Sequence, residues 1–168
     1  MLSGKETIVA CSSPPGRGAV SIIRLSGDKA VSIIKKITNN KPKKKVSIIK
    51  FPLDVGLNEK CVLTIFKAPN SYTGEDVVEI STHGGQAVVN KILKMLGTFN
   101  ELRLAEPGEF TRRAFENNKL DLAQVEAISD LVNSETEAQR RQAINQLSGL
   151  FSNKINRWSD KILKNLAN

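Results

Sequence analysis

The chain has one histidine, His83, and only two cysteines, Cys11 and Cys61, far apart in sequence. No CxxC pair occurs, so the spacing that builds a thiolate zinc site is missing and no bound metal is expected; both cysteines read as buried thiols. No apolar run approaches the ~20 residues needed to cross a bilayer. Residues 1–6 also lack the basic head and apolar stretch of a signal peptide. The expectation is a soluble, cytoplasmic protein with no membrane association. The phosphate loop G-x-x-x-x-G-K-S/T is absent, and Gly16-Arg17-Gly18 fails as a dinucleotide fingerprint. Ser21 stands where the third glycine would be, and the motif leads into a strand instead of a helix. No local signature marks a serine or cysteine nucleophile, so nothing in the sequence supports a hydrolytic triad around His83. A general-base role for its imidazole stands beside a role in a turn or a ligand contact.

What is present supports a real core: 168 residues, of which 40% are hydrophobic, suit one ordinary domain or a domain with a helical appendage. The formal charge is +8, and seven lysines fall between Lys35 and Lys50. Such an excess can concentrate nucleic acid by counterion release. No aromatic residue interleaves the run as a stacking platform, so a solvated lysine-rich surface is the simpler reading and RNA contact the alternative.

Period-two patterning predicts strands over Thr7–Cys11 and over residues 19–25, separated by the turn-rich residues 12–18. In the second strand Val20, Ile22 and Arg24 share one face while Ile23 and Leu25 share the other. An arginine in that row is either an edge residue reaching water or a positioned anion receptor. A helix is predicted over 28–38, strands over 45–53 and 60–67 joined through 54–59, a strand over 76–82, and a helix over 87–96. A short extended piece at 102–105 precedes a helix over 110–116.

The stretch 70–86 organises the rest: a polar loop with Gly74, a β-branched run, the pair Gly84-Gly85, then a helix. A strand end followed by a helix start gathers backbone N–H groups around a crevice where α/β proteins commonly bind ligands. That crevice is expected to hold Glu79, His83 and residues 72–76.

From Asp121 no strand signal recurs. Leu122, Val125, Ile128 and Val132 form one helical stripe, and Ser134 with Glu137 fits a capping box. Ile144, Leu147, Phe151, Ile155, Trp158, Ile162 and Leu166 then recur at three- and four-residue steps. They predict one continuous helical seam of roughly six turns. The pattern is still running at the last residue, which points to a missing partner helix, another subunit or a truncated chain; the favoured expectation is a chain cut before downstream partner helices.

Several motifs occur in a fixed order: Thr7-Ile8-Val9-Ala10, Pro14-Pro15-Gly16-Arg17-Gly18, Ile23-Arg24-Leu25-Ser26-Gly27, Tyr72-Thr73-Gly74-Glu75-Asp76, His83-Gly84-Gly85, the run from Ala105 to Phe115, and the run from Asn118 to Ile128. Together they resemble the MnmE (TrmE) tRNA-modification GTPases over nearly the whole chain. The resemblance implies an α+β fold: a mixed-sheet tetrahydrofolate-binding and dimerisation domain over 1–118, then the start of an all-α helical domain over 119–168, cut before the GTPase insertion. It also implies a homodimer that, with the FAD-containing partner MnmG, adds a carboxymethylaminomethyl-type group to carbon 5 of the wobble uridine of tRNA. The implied cofactor is a tetrahydrofolate derivative, 5-formyl or 5,10-methylene. GTP, potassium and magnesium belong to the whole protein, and the fragment alone is expected to bind without turnover.

By motif position Arg24, Glu79 and Lys119 match the family's folate-contacting residues. A pterin offers adjacent N–H donors that one carboxylate, Glu79, can accept together. Arg24 and Lys119 suit the ligand's carboxylates or carbonyl; the plain alternative for each is a surface ion pair of little energetic weight. Two other functions are weighed against this one. The first is a basic RNA-binding module using the segment from Lys35 to Lys50, and the second a free-standing folate-dependent one-carbon transferase.

Overall fold

A computed structural model describes residues 6–38 and 45–166, which fall into two units, residues 1–113 and 114–168. Lys41, Lys43 and Lys44 of the basic segment lie outside the described residues.

In the first unit six strands form one mixed sheet in the order β3-β4-β5-β2-β1-β6. These are β1 (Thr7–Cys11), β2 (Val20–Ser26), β3 (Val46–Asp54), β4 (Leu57–Phe66), β5 (Val77–His83) and β6 (Leu102–Leu104). Every neighbouring pair is antiparallel except β1 and β6, which run parallel. The predicted elements are all present within a few residues of their expected ends. The connection between β3 and β4 is tighter than expected: Asp54 pairs with Leu57, so only Val55 and Gly56 turn, and residues 57–59 belong to β4.

Alternation along the strands sets two unlike faces. Ile23 and Leu25 of β2, Leu63 of β4 and Val78 and Ile80 of β5 are buried in one core with α1 (Ala30–Thr38) and α2 (Gln86–Leu96). The helices add Val31, Ile33, Ile34, Val89, Ile92 and Leu96, side chains worth roughly 1.5–3 kcal/mol each when fully buried. The opposite face carries Arg24 and Glu79, and also exposed Val20, Val46, Ile48 and Val62. Cys61 is buried in the core, where burial pushes its thiol pKa up, and Cys11 is half-buried; both are free thiols.

Helix α3 (Glu109–Glu116) ends in a Schellman motif. Lys119 N–H donates to Ala114 C=O at 2.8 Å and Asn118 N–H to Phe115 C=O at 3.0 Å. Asn118 takes φ 55°, a left-handed value that asparagine tolerates better than most residues.

In the second unit α4 (Leu122–Val132) and α5 (Glu137–Leu147) each start with a capping box. The first is Asp121 with Gln124. The second is Thr136 with Gln139, in place of the expected Ser134 and Glu137. Ser134 donates its hydroxyl back to Leu131 C=O, closing the preceding helix. Ala127 and Ala143 are the buried positions of α4 and α5, whereas Leu122 and Val132 at the ends of the expected stripe are exposed.

The expected continuous seam is broken. Helix α5 stops at Leu147, and Gly149 adopts φ 79° before α6 (Leu150–Leu166) begins. Glycine alone takes that conformation without a Cβ penalty, so it ends one helix and starts another. Ile155, Trp158, Ile162 and Leu166 of α6 are exposed, and Lys154 Nζ lies 5.3 Å from the Trp158 ring centre. Among the described residues no helix is long and apolar enough to cross a membrane.

Candidate functional site

The site is built on one cross-strand pair. Arg24 in β2 sits directly opposite Glu79 in β5, on the sheet face away from α1 and α2. Its guanidinium contacts Glu79 Oε1 through Nε at 2.8 Å and through Nη2 at 2.7 Å. The side chains are 25% and 21% exposed, enough to shield the pair from bulk water while leaving it reachable. The flanking register positions are Thr64 on β4 and Ala10 on β1, both uncharged.

Two aromatic rings flank the guanidinium. The Tyr72 ring centre is 5.3 Å from Arg24 Cζ and that of Phe110 is 5.7 Å away, both within cation–π range. Tyr72 comes from the polar loop before β5 and Phe110 from the first turn of α3. Their positions are coupled, since Tyr72 Oη and Thr111 Oγ1 lie 2.9 Å apart.

The segments that carry these rings are joined by a buried ion network. Arg113 Nη1 meets Glu75 Oε2 at 3.1 Å and Nη2 meets Glu109 Oε1 at 2.9 Å, with Arg113 and Glu109 only 4% and 1% exposed. Arg113 Nη2 also donates to Glu6 C=O at 2.8 Å. Arg103 donates to both Glu109 oxygens, at 2.7 and 2.8 Å, and Glu106 N–H adds a third donor. Hydrogen bonds from Arg103 lower the Glu109 pKa to about 2, against burial, with Glu106 N–H and Arg113 adding to them. Glu75 also accepts from Ser26 Oγ, which lies 2.7 Å from Thr73 Oγ1. The loop carrying Tyr72 and the helix carrying Phe110 are therefore fastened to the same arginine.

The single crevice expected for Glu79, His83 and residues 72–76 is divided in the structure. Tyr72 lies with Arg24 beside Glu79, and Glu75 belongs to the Arg113 network. Asp76 pairs with Lys67 Nζ at 2.6 Å, and His83 at the far end of β5 pairs with Glu59 through Nδ1. Hydrogen bonds from His83 and Thr82 hold Glu59 below its usual pKa although burial acts to raise it. Lys119, the third residue singled out, is exposed in the second unit at the position fixed by the Schellman motif. Phe110 and Arg113 were not among the predicted site residues. The signal available for them was the run Glu109-Phe110-Thr111-Arg112-Arg113, a helix start with apolar and charged residues mixed on one turn. Among the described residues, no cluster of His, Cys, Asp and Glu could hold a metal ion.

Comparison with known proteins matches the chain in two parts. Residues 7–119 match the family described as GTP-binding protein TrmE N-terminus, and residues 122–168 match the MnmE helical domain. The chain belongs to the TrmE N-terminus family. A protein of Phenylobacterium zucineum named tRNA modification GTPase MnmE is 44% identical over 164 residues, 96% of this chain and 37% of the relative. Its namesake from Pasteurella multocida is 45% identical over 161 residues, 95% of this chain and 36% of the relative. The chain thus spans a little over a third of the length of these curated relatives.

Proposed function

We propose that this chain is the tetrahydrofolate-binding, dimer-forming N-terminal part of a tRNA-modification GTPase. Arg24, Glu79 and Lys119 are its folate contacts. The observation that carries the reading is the lopsided Arg24–Glu79 pair. Both guanidinium bonds fall on Oε1, and Glu79 Oε2 finds no donor among the described residues. A half-buried carboxylate with one oxygen free beside two aromatic rings fits a ligand that is flat, heteroaromatic and rich in adjacent N–H donors. A reduced pterin has that chemistry, and when bound it would supply the one-carbon unit. Glu79 would accept its N–H groups, and Arg24, held between the rings, would orient the carbonyl or a carboxylate.

The remainder of the proposal concerns the whole protein. The exposed apolar residues Val20, Val46, Ile48 and Val62 lie on the face bearing Arg24 and Glu79, which suits pairing with a second copy into a homodimer. The exposed apolar side of α6 suits helices further along the chain. The whole enzyme would hydrolyse GTP with potassium and magnesium. With MnmG it would modify the wobble uridine of tRNA in the cytoplasm. The domain boundary near residue 118 belongs to the same reading.

Titration of the purified chain with 5-formyl-tetrahydrofolate tests the site. Saturable binding that weakens at least tenfold in Glu79→Ala, with the fold retained by circular dichroism, is the expected result. No saturable binding by the dimer, or equal binding by the variant, would reject it.

A further inference from the structure

Two glycine motifs take no part in the folate reading, and the structure brings them into contact. We propose that the loop of residues 13–18 and the first turn of α2 form a second ligand site, for the phosphate or carboxylate group of a small molecule, on the sheet face opposite Arg24.

Gly84 packs directly on Gly18: a Cβ built on Gly84 would lie 2.3 Å from Gly18 C=O oxygen and 2.7 Å from its carbonyl carbon. Only a glycine allows that approach, and Gly84 N–H donates to Ala19 C=O at 3.1 Å. The other end of the loop is clipped to β2. Ser12 N–H donates to Ile22 C=O at 2.7 Å and Ile22 N–H to Ser13 Oγ at 2.8 Å. The loop is thereby held beside the start of α2, enclosing a cleft of about 210 Å³.

The cleft is lined by Ser21, Cys11, Pro14, Gln86, Val89 and Leu93 among others, with no acidic side chain. Two independent features point to an oxyanion. First, α2 is an eleven-residue helix whose N-cap, Gly85, supplies no side-chain cap. The N–H groups of Gln86 and Ala87 find no acceptor among the described residues, and a helix start left in that condition attracts negative charge. Second, Ser21 is 8% exposed, lines the cleft from β2, and its hydroxyl has no partner among the described residues. No fully occluded polar atom goes unsatisfied among the described residues, so that hydroxyl keeps its access through the cleft. The start of α2, at Gln86, and the Ser21 hydroxyl border the same cleft from two elements, a set of donors that suits the oxygens of a phosphate or carboxylate. Val89, Leu93 and Pro14 offer an apolar wall for the rest of the molecule.

The test is an amide NMR titration of the full chain with inorganic phosphate and, separately, with acetate, against chloride at matched ionic strength. A parallel measurement follows alkylation of Cys11, whose half-buried thiol lies in the same cleft. Saturable shifts at Gln86 and Ala87 and slower Cys11 alkylation are expected with at least one anion. Tighter phosphate binding would assign a phosphate-bearing ligand, and tighter acetate binding a carboxylate. Ser21→Ala should weaken binding about tenfold, the scale of a hydrogen bond to a charged group. The exposed Gln86→Glu should weaken it by charge repulsion with the fold unaffected, and Glu79→Ala should leave it unchanged. Non-saturable shifts with both anions, or affinities unaltered in both Ser21→Ala and Gln86→Glu, would overturn the proposal. Because the readout is independent of folate, it can fail or succeed without reference to the Arg24 site.

Discussion

Arg24 directs two donors at one oxygen of Glu79, Nε at 2.8 Å and Nη2 at 2.7 Å, instead of sharing them across both oxygens. The second oxygen is left to a ligand, and the guanidinium plane is left to the Tyr72 and Phe110 rings. A lysine at position 24 keeps the charge but has neither the fork nor the flat face. Arg24→Lys is therefore expected to lower 5-formyl-tetrahydrofolate affinity about tenfold or more, with a stability loss of only about 1 kcal/mol for a pair partly open to water. Calorimetric titration beside a urea melt separates the two effects.

Arg113 is the more costly residue to remove for the fold. It joins Glu75, Glu109 and the Glu6 carbonyl where almost no water reaches. Arg113→Met would leave two carboxylates short of a partner, and a loss of about 3 to 5 kcal/mol is expected. The urea midpoint should fall with it. Changed tyrosine fluorescence would report release of the Tyr72 loop.

Acid should act through the same network. Glu109 has a folded pKa of about 2 against an ordinary 4.5, set by Arg103 first, with burial opposing and Glu106 N–H and Arg113 assisting. A depressed carboxylate pKa stabilises the fold fully above the unfolded value and loses that contribution as pH falls through the folded one. Stability should therefore decline between about pH 4.5 and about pH 2, by on the order of 3 kcal/mol. Urea unfolding across that window checks this, and Glu109→Gln should flatten the slope.

Gly84→Ala should destabilise the chain by about 2 to 3 kcal/mol, because the new Cβ meets the Gly18 backbone and no flexible side chain can yield. Gly85→Ala next to it meets only Val88 Cγ2 at 3.9 Å and should change stability by less than about 0.5 kcal/mol. Thermal melts of the two variants give the contrast directly.

The sheet was legible because its strands alternate cleanly, and Arg24 stood out as the charge in an apolar row. Glu79 was legible only as one acid in a β-branched run. That the two face each other is a matter of register between segments 55 residues apart. No local pattern encodes such a pairing. Arg113 was hidden for a different reason. Charged residues are presumed exposed, and its burial depends on carboxylates from separate segments arriving at one point.

The helical end shows where local patterns compete. Ser134–Glu137 and Thr136–Gln139 both fit the capping template, and the chain uses the second because Ser134 is spent on Leu131 C=O. The apolar spacing from Ile144 onward concealed the break at Gly149. A glycine inside a helical pattern costs ~1 kcal/mol and was the cue that could have been read. In α4 and α5 the buried positions belong to Ala127 and Ala143, which hydrophobic-stripe reading undervalues.

The facing of Arg24 and Glu79 has a further effect during folding. If β2 misthreaded by one residue against β5, Arg24 would swing beneath α1 and α2 while Ile23 and Leu25 turned outward. An unmatched guanidinium there costs on the order of several kcal/mol. A neutral side chain at position 24 removes that penalty, so Arg24→Leu should refold with a larger misassembled fraction, as size-exclusion chromatography after refolding would show.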